Sequence, residues 1–466
     1  MIKDMKPKII FLPHGNLQYS QLEPSKRAWV IEHCYEKLFD LVARKGYKIG
    51  FEASGFTVDA IANLCPKVMD KLAVLVKLGQ IEPVGSPYIH IMLGNIDSAI
   101  GCETLKKGRQ AWEIHTGYAP TVGWNPECSW ADYIPEIFLK AGFESLVMDG
   151  DSFFLSFDEI RKATGLEFDV AGHNNKNKLF KIEDFIKDKP EFLKFITNPS
   201  VAPNGLKMIF RSDMMANPML WYLMGATEGI REEPVKLDEI KTSFENWKSR
   251  IGQTGSFIMP FAEDAEYIGS SAYFYVKQFN QARFFEAEPK SVDRFEEMLD
   301  AAIAMGYELA TPCEVISSAK KIVPTDKILE VENGIAWHGG TAKAWANTEQ
   351  ARILDPTCRM VFEGIKALAD ATGKTIETVD GELRLALERL TGAYVSDSRW
   401  PPAPTSPGRF NVRETLDDLY AANDLIAAAM KTSGIDHHKS IYSPSLMKTQ
   451  IALLEKQMMV MKYFGE

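Results

Sequence analysis

Acidic and amide side chains recur just after a series of short apolar segments. His14, Asn16 and Gln18 follow the first, Glu52 and Ser54 follow the second, and Glu82 lies within the third. Glu127 closes the run Trp124-Asn125-Pro126-Glu127 after the fourth. Asp149 and Asp151 follow the fifth, Arg211 and Asp213 the sixth, and Glu263, Asp264 and Glu266 the seventh. Any one of these acids is explained by capping a helix or sitting in its first turn, where the dipole favours it. Seven in succession point instead to a site shared by strand ends. Paired carboxylates suit the cleavage of a glycosidic bond. One attacks the anomeric carbon while the other protonates the leaving oxygen, and for retention they stand about 5–5.5 Å apart.

Other chemistries lack their residues. The eight histidines are dispersed, with only His14 and His338 near the proposed site positions, and the adjacent His437 and His438 read as surface residues. No cluster of two or three at metal-ligand spacing exists, so no metal and no other cofactor is expected. A G-x-S-x-G elbow, a Walker loop and an early G-x-G-x-x-G are all missing, which argues against a serine hydrolase, a P-loop enzyme and a dinucleotide-binding sheet. Cysteines at 34, 65, 102, 128, 313 and 358 show no C-x-x-C spacing and are expected to be reduced and buried.

The elements that would position these residues alternate. Strands are predicted at 8–12, 47–51, 80–84, 120–124, 145–148, 206–211 and 256–261, each short and apolar as buried parallel strands are. Between them lies helical spacing, first in Ile31, Tyr35, Leu38 and Val42, with Ser25 as N-cap and Gly46 as terminator, then with Thr57 as a cap. Further helices are predicted at 97–114, 131–142, 213–225, 236–250 and 271–286. The pattern implies an α/β fold, a (β/α)7 barrel whose active site lies at the C-terminal ends of the strands. The stretch 151–206 is a long insertion of the kind that contacts substrate. Beyond 330 the pattern is helical, at 341–353, 356–372, 380–392, 411–432 and 443–463, with a Pro-rich loop at 400–409. Two domains follow: a barrel over 1–330 with its insertion, and a helical domain over 331–466 that completes the cleft.

The chain has 466 residues, and its 53 basic against 63 acidic residues give a net charge of −10. That balance argues against a nucleic-acid partner. No apolar run has the length of a membrane helix, and the N-terminal run is too short for a signal peptide, so a cytoplasmic location is expected. A homo-oligomer is compatible with the sequence. The 26 Phe, 15 Tyr and 9 Trp are a mild excess, from which a few rings could line a sugar groove.

The segment Trp124-Asn125-Pro126-Glu127, followed by CSWADYIPEIFLKAGFESLVMDGDSF, resembles the nucleophile region of glycoside hydrolase family 57. LPHGNLQYSQL resembles that family's first motif, GQIEPVGSPY (79–88) its second, FAEDAEYIG (261–269) its Asp-Gly-Glu segment after the last strand and AWHGG (336–340) its fifth motif. The resemblance runs in order over residues 8–340. It implies a (β/α)7 barrel with a C-terminal helical region, Glu127 as nucleophile, Asp264 as acid/base, and Glu82 and Glu266 as sugar-binding residues. Three positions depart from the family pattern. Asn16 replaces the second histidine of the first motif, Gly334 replaces an Asp three residues before Trp337, and Ser271, with Tyr273 nearby, replaces a Trp. These changes leave the catalytic pair in place and point to an α-linked sugar other than the usual starch-like one, or to a modified sugar.

The expected activity is therefore that of a retaining glycoside hydrolase or transglycosylase acting on an α-linked carbohydrate by double displacement. His14 and Asn16 would contact hydroxyls, and Trp124 and Trp337 would wall the sugar subsite. Arg211 would pair with Asp213 or Asp149, or bind an anionic sugar. A non-catalytic sugar-binding relative and a metal-dependent polysaccharide deacetylase on a related barrel are the alternatives.

Overall fold

A computed structural model of the protein describes residues 6–169, 174–227, 231–330, 335–337, 340–341, 343–346, 348–399, 411–435 and 442–459. The strands that matter for the site are β1 (Lys8–Phe11), β2 (His14–Gly15), β3 (Ile49–Ala53), β4 (Ile81–Gly85), β5 (Val122–Trp124), β6 (Ser145–Asp149), β7 (Ser200–Val201), β8 (Lys207–Arg211) and β9 (Phe257–Phe261). Seven of these fall on the expected segments, shifted by no more than two residues at either end.

Strands β2, β3, β4, β5, β6 and β8 lie side by side in that order, all parallel. Strand β1 pairs in parallel with β9. The chain passes from β1 to β2 across Leu12 and Pro13 without turning back, so one stretch serves two neighbours. On one side, the Leu12 and His14 amides donate to the Phe261 and Glu263 carbonyls, each at 2.9 Å. On the other, the Glu52 amide donates to the Pro13 carbonyl at 3.0 Å. This handover brings the ends of β9, β2 and β3 together. Between β8 and β9 no ladder is present among the described residues. The architecture is thus α/β, with a largely parallel sheet connected by helices.

One face of the strands shares a cluster containing Ile10, Val84, Val122, Val147, Ile209 and Met259. The cluster reaches the C-terminal strand ends at Trp124, Cys128 and Ala262, with Trp337 packed against it. The other faces pack on helices in a larger core. Close approach is enforced at Gly123, where an added Cβ would stand 2.4 Å from the Phe138 ring. Gly123→Ala should therefore cost about 1–3 kcal/mol of stability through overpacking. Urea unfolding followed by tryptophan fluorescence checks this; an unchanged midpoint would mean that Phe138 moves aside freely.

The structure corrects several local expectations. Residues 271–286 do not form a helix but an antiparallel hairpin, Tyr273–Val276 against Gln281–Phe284. Burial alternates along Tyr273–Val276, the side chains are aromatic and β-branched, and Asn280 turns the chain at φ 48°. The helix over Gly55–Leu64 is capped by Ser54, whose hydroxyl accepts from the Thr57 amide, so Thr57 is not the cap. Ser25 lies inside a short 3-10 turn, Pro24–Lys26, whose N-cap is Glu23. Gly46 does end its helix, at φ 68°. The insertion folds into short helices, Gly150–Leu155, Asp158–Thr164, Phe180–Ile186 and Pro190–Thr197.

After residue 340 the long helices are Glu349–Ala371, Gly381–Gly392, Asn411–Thr432 and Pro444–Met459. The first runs unbroken through Pro356, where two helices were expected. They share a second core, which Ile100 joins from the helix Ser98–Thr116. His338, Gly334, the loop at 400–409, and His437 with His438 lie outside the described residues. No helix among the described residues is long and apolar enough to cross a membrane.

Candidate active site

Some strand-end acids cap helices or bind backbone amides, and others face a cavity. Asp149 is an N-cap, its Oδ2 accepting from the Ser152 amide at 2.7 Å. Asp151 accepts from the Ser212 hydroxyl at 2.9 Å and the Asp213 amide at 2.7 Å. Asp264 precedes the short turn Ala265–Tyr267 without capping it. Glu127 sits in the turn Pro126–Cys128, where both Glu127 and Cys128 have positive φ, 57° and 48°. Two successive left-handed residues other than glycine cost about 1–3 kcal/mol each. Hydrogen bonds hold the turn. The Cys128 amide donates to the Asn125 carbonyl at 2.8 Å, the Asn125 side-chain amide donates to the Ser129 carbonyl, and the Trp337 amide donates to the Glu127 carbonyl at 2.9 Å. The strain aims the Glu127 carboxylate into a cavity.

That cavity has a volume of about 360 Å³. Of the predicted site residues, His14, Asn16, Trp124, Glu127, Arg211, Asp264 and Trp337 line it. Glu82 and Glu266 do not. Glu82 lies in the first half of β4 and accepts from the Cys313 amide at 2.9 and 3.2 Å, which ties it to the start of the helix Pro312–Ser318. Glu266 is fully buried behind the wall, where Oε1 accepts from the Asn16 amide at 2.8 Å and from the Tyr35 hydroxyl. A spacing rule that places an acid near a strand end does not reveal which end, or which side of the wall, its side chain takes.

The structure adds residues that the sequence did not single out. His90 lines the cavity from the loop after β4, and Asp397 from the turn Ser396–Ser398 in the helical region. The Ser396 amide donates to the His90 carbonyl at 2.8 Å, and Ile91 bridges Val395, so the two segments are docked. Lys176 and Asn177 of the insertion, Tyr273 and Tyr275 of the hairpin, and Trp345 complete the wall. A lone histidine in SPYIHIML and an aspartate in SDSRW carry no spacing signal. The YFY run would have marked the hairpin had its period of two been recognised.

The polar groups interlock. His14 Nδ1 bonds Glu52 Oε2, and its Nε2 stands 4.0 Å from Asp264 Oδ1. The His14 ring stacks on Trp124, with centroids 5.7 Å apart. His90 Nδ1 lies 3.9 Å from Glu127 Oε1 and 4.0 Å from Asp397 Oδ2. Asn16 Nδ2 donates to Asp397 Oδ2 at 3.4 Å. Arg211 is committed to carboxylates: Nη2 to Asp213 and, at 3.2 Å, to Glu263 Oε1, with Nη1 3.6 Å from Asp149 Oδ1. Its guanidinium also sits 5.8 Å from the Trp124 ring.

Burial, then the Asp397 carboxylate, pushes the Glu127 carboxyl up to about 8. Burial also raises Asp264, against the opposing pull of His14 and the Tyr19 hydroxyl. Burial, then His14, pushes His90 down, so its ring is neutral at neutral pH. Among the described residues, two groups of acids and histidines bring their ligand atoms close together: His90, Glu127 and Asp397 in the cavity, and Asp149, Asp151 and Asp213 outside its lining. In the second, backbone amides, Ser212 and Arg211 already take up most of the carboxylate oxygens.

The fold is α/β, and two carboxylates, Glu127 and Asp264, face one aromatic-walled cavity at the strand ends. Residues 9–195 match the profile described as Glycosyl hydrolase family 57. The match takes in the first strands and the Glu127 turn. It is 27% identical over 133 residues to an alpha-amylase of Pyrococcus horikoshii, a stretch covering 28% of this chain and 21% of that one. An alpha-amylase of Pyrococcus furiosus matches at 25% over 133 residues, again 28% of this chain and 20% of that protein. The matched stretch thus spans about a fifth of these curated relatives. Among solved structures, the GH57-type branching enzyme of Pyrococcus horikoshii superposes with a TM-score of 0.60 at 12% identity, covering 96% of this chain and 97% of that one. The 4-alpha-glucanotransferase of Thermococcus litoralis gives 0.57 at 14%, covering 90% and 60%. These structural likenesses are likenesses of fold.

Proposed function

We propose that the chain is a retaining glycoside hydrolase or transglycosylase acting on an α-linked carbohydrate, with Glu127 as nucleophile and Asp264 as acid/base. The observation that carries this reading is the pair of uncapped carboxylates, Glu127 and Asp264, facing one cavity from the ends of β5 and β9. The family match over residues 9–195 and the alpha-amylase and 4-alpha-glucanotransferase names of similar proteins support an α-glucan as the substrate class. The parallel order of seven strands supports a (β/α)7 barrel within residues 1–330, and the separate core after residue 349 supports a helical domain over 331–466.

In the first half-reaction Glu127 attacks the anomeric carbon while Asp264 delivers its proton to the leaving oxygen. The sugar is then esterified to Glu127. In the second, Asp264 takes a proton from water or an acceptor hydroxyl, which attacks the same carbon and frees Glu127. Trp124 and Trp337 offer apolar faces, and His14, Asn16, His90 and Asp397 offer hydrogen bonds to hydroxyls. Incubation with maltoheptaose, followed by proton NMR of the first product anomer, tests the reading. Release of the α-anomer supports it; the β-anomer as first product refutes retention, and an unchanged panel of α-glucosides, α-galactosides and α-mannosides refutes the activity.

The environment of Glu127 has a consequence for pH. The nucleophile works ionised, and its carboxyl is raised to about 8 in the empty site. The acid limb of kcat/KM, which reports the free enzyme, should therefore lie near pH 8. Asp397→Asn removes the like charge that acts most strongly on Glu127 and should move that limb to lower pH. An acid limb that stays in place in the variant would mean that burial alone sets the Glu127 carboxyl.

A further inference from the structure

Glu52 is a strand-end carboxylate that the mechanism above does not use. It is fully buried and does not line the cavity, so no substrate there touches it. Its position follows from register. Glu52 of β3 lies beside His14 of β2 in the parallel ladder, and His14 in turn bridges Asp264 on its other side. Glu52 Oε2 bonds His14 Nδ1, while Oε1 is buried with no hydrogen-bond partner. A carboxylate can only accept, so Nδ1 carries a proton. The second ring nitrogen, Nε2, is 4.0 Å from Asp264 Oδ1.

We propose that Glu52 is a positioning residue that holds His14 as an imidazolium, its Nε2–H directed at Asp264 and at the sugar bound beside it. The groups facing the ring favour the charge. Glu52 approaches from β3, Asp264 and Glu266 from the segment after β9, and Glu127 from the turn after β5. Trp124 stacks on the ring, and His90, whose centroid is 5.3 Å away, is neutral. Burial alone would discharge His14, but Glu52, then Asp264 and Glu266, outweigh it and hold the ring up to about 10. The direct bond from Glu52 is the contact on this ring that does not depend on the protonation of Asp264 or Glu266.

The consequence for turnover rests on the glycosidase reading; the charge on His14 does not. Once Asp264 has given up its proton, it is a carboxylate in a buried site, facing a Glu127 that is now an uncharged ester. The imidazolium stabilises that carboxylate until water or an acceptor returns the proton. No proton leaves His14 in the cycle. Glu52 therefore acts through His14, chiefly on the second half-reaction.

The test has two arms. Wild-type protein labelled with 15N-histidine is examined by long-range proton–nitrogen correlation at pH 8, and the His14 signal is assigned by its loss in His14→Gln. Two protonated ring nitrogens are expected in the wild type and in Glu52→Asp. In Glu52→Gln the ring should be neutral at pH 8, because without the carboxylate it returns toward the ordinary value of about 6.5. A neutral His14 in the wild type overturns the proposal, whether or not Glu52→Gln folds. The second arm is release of chloronitrophenol from 2-chloro-4-nitrophenyl α-maltotrioside. Glu52→Gln should lose about 10- to 100-fold in kcat at pH 8, recover part of it toward pH 6, and lower KM in step, because a slower second half-reaction leaves kcat/KM little changed. A variant whose pH profile superimposes on the wild type overturns the assigned role. If the wild type shows the imidazolium but releases no chloronitrophenol from any aryl α-glycoside, the glycosidase reading fails and the protonation of His14 stands.

Discussion

Glu127→Ala is expected to lower kcat by at least on the order of 10⁴-fold, because no other group can form the covalent intermediate. The strained turn makes Glu127 hard to replace. Its two left-handed residues and the bond from the Trp337 amide set the direction of the side chain, so a neighbouring acid cannot take its place. Asp397 and Glu263 also line the cavity, but His90 and Asn16 face Asp397, and Arg211 binds Glu263. Azide added to the alanine variant should enter the space the carboxylate left and attack an activated aryl α-glycoside from the same side. The product is then the β-glycosyl azide, inverted relative to the substrate, identifiable by its anomeric coupling. Glu127→Gln keeps the shape of the side chain and should still bind maltoheptaose in calorimetry while turning over as poorly as the alanine variant. Near-normal hydrolysis by either variant would sink the assignment.

The fold was legible in the sequence where one period dominated. Short buried runs such as those around Ile49 and Val147 have no competing pattern, and they became β3 and β6. The hairpin was misread because aromatic residues suit either a helix face or a strand face, and only the alternation of burial in Tyr273–Val276 decides between them. Pro356 was read as a break, yet a proline eight residues into a helix is tolerated when the rest of the apolar stripe is buried, as it is from Leu354 to Leu368. In the site, spacing places Glu127 and Asp264 only among the strand-end acids; the family resemblance singles them out, and their side chains face one cavity. Glu82 could not be separated from them, because the sequence does not show that its side chain is drawn to the Cys313 amide. His90 and Asp397 come together only through docking of the loop after β4 on the turn at Ser396. That contact joins segments some three hundred residues apart, and no local pattern encodes it. The bland explanation of strand-end acids also holds in part, since Asp149 is a helix cap.

Asp264→Asn should separate the two half-reactions. Protonation matters most when the leaving oxygen is basic, so cleavage of maltoheptaose should fall by about 10²–10⁴-fold. An aryl α-glycoside with an acidic phenol needs little help to leave, and its first step should be nearly unaffected. The intermediate on Glu127 then lacks the base that activates water. A burst of phenol followed by a slow steady state is expected, with the glycosylated protein visible by intact mass. Azide needs no deprotonation and should relieve the slow step, giving the α-glycosyl azide with retained configuration. The opposite anomers obtained from the Glu127 and Asp264 variants assign the two carboxylates independently of each other. The environment of Asp264 is consistent with this double duty. Burial raises its carboxyl, which favours holding a proton in the resting site, while His14 at 4.0 Å and the Tyr19 hydroxyl favour the carboxylate that must exist mid-cycle. Neither influence alone would serve, because an acid that never ionises cannot become the base, and one always ionised cannot begin. A variant with no burst and equal losses on both substrate types would show that Asp264 only positions the sugar.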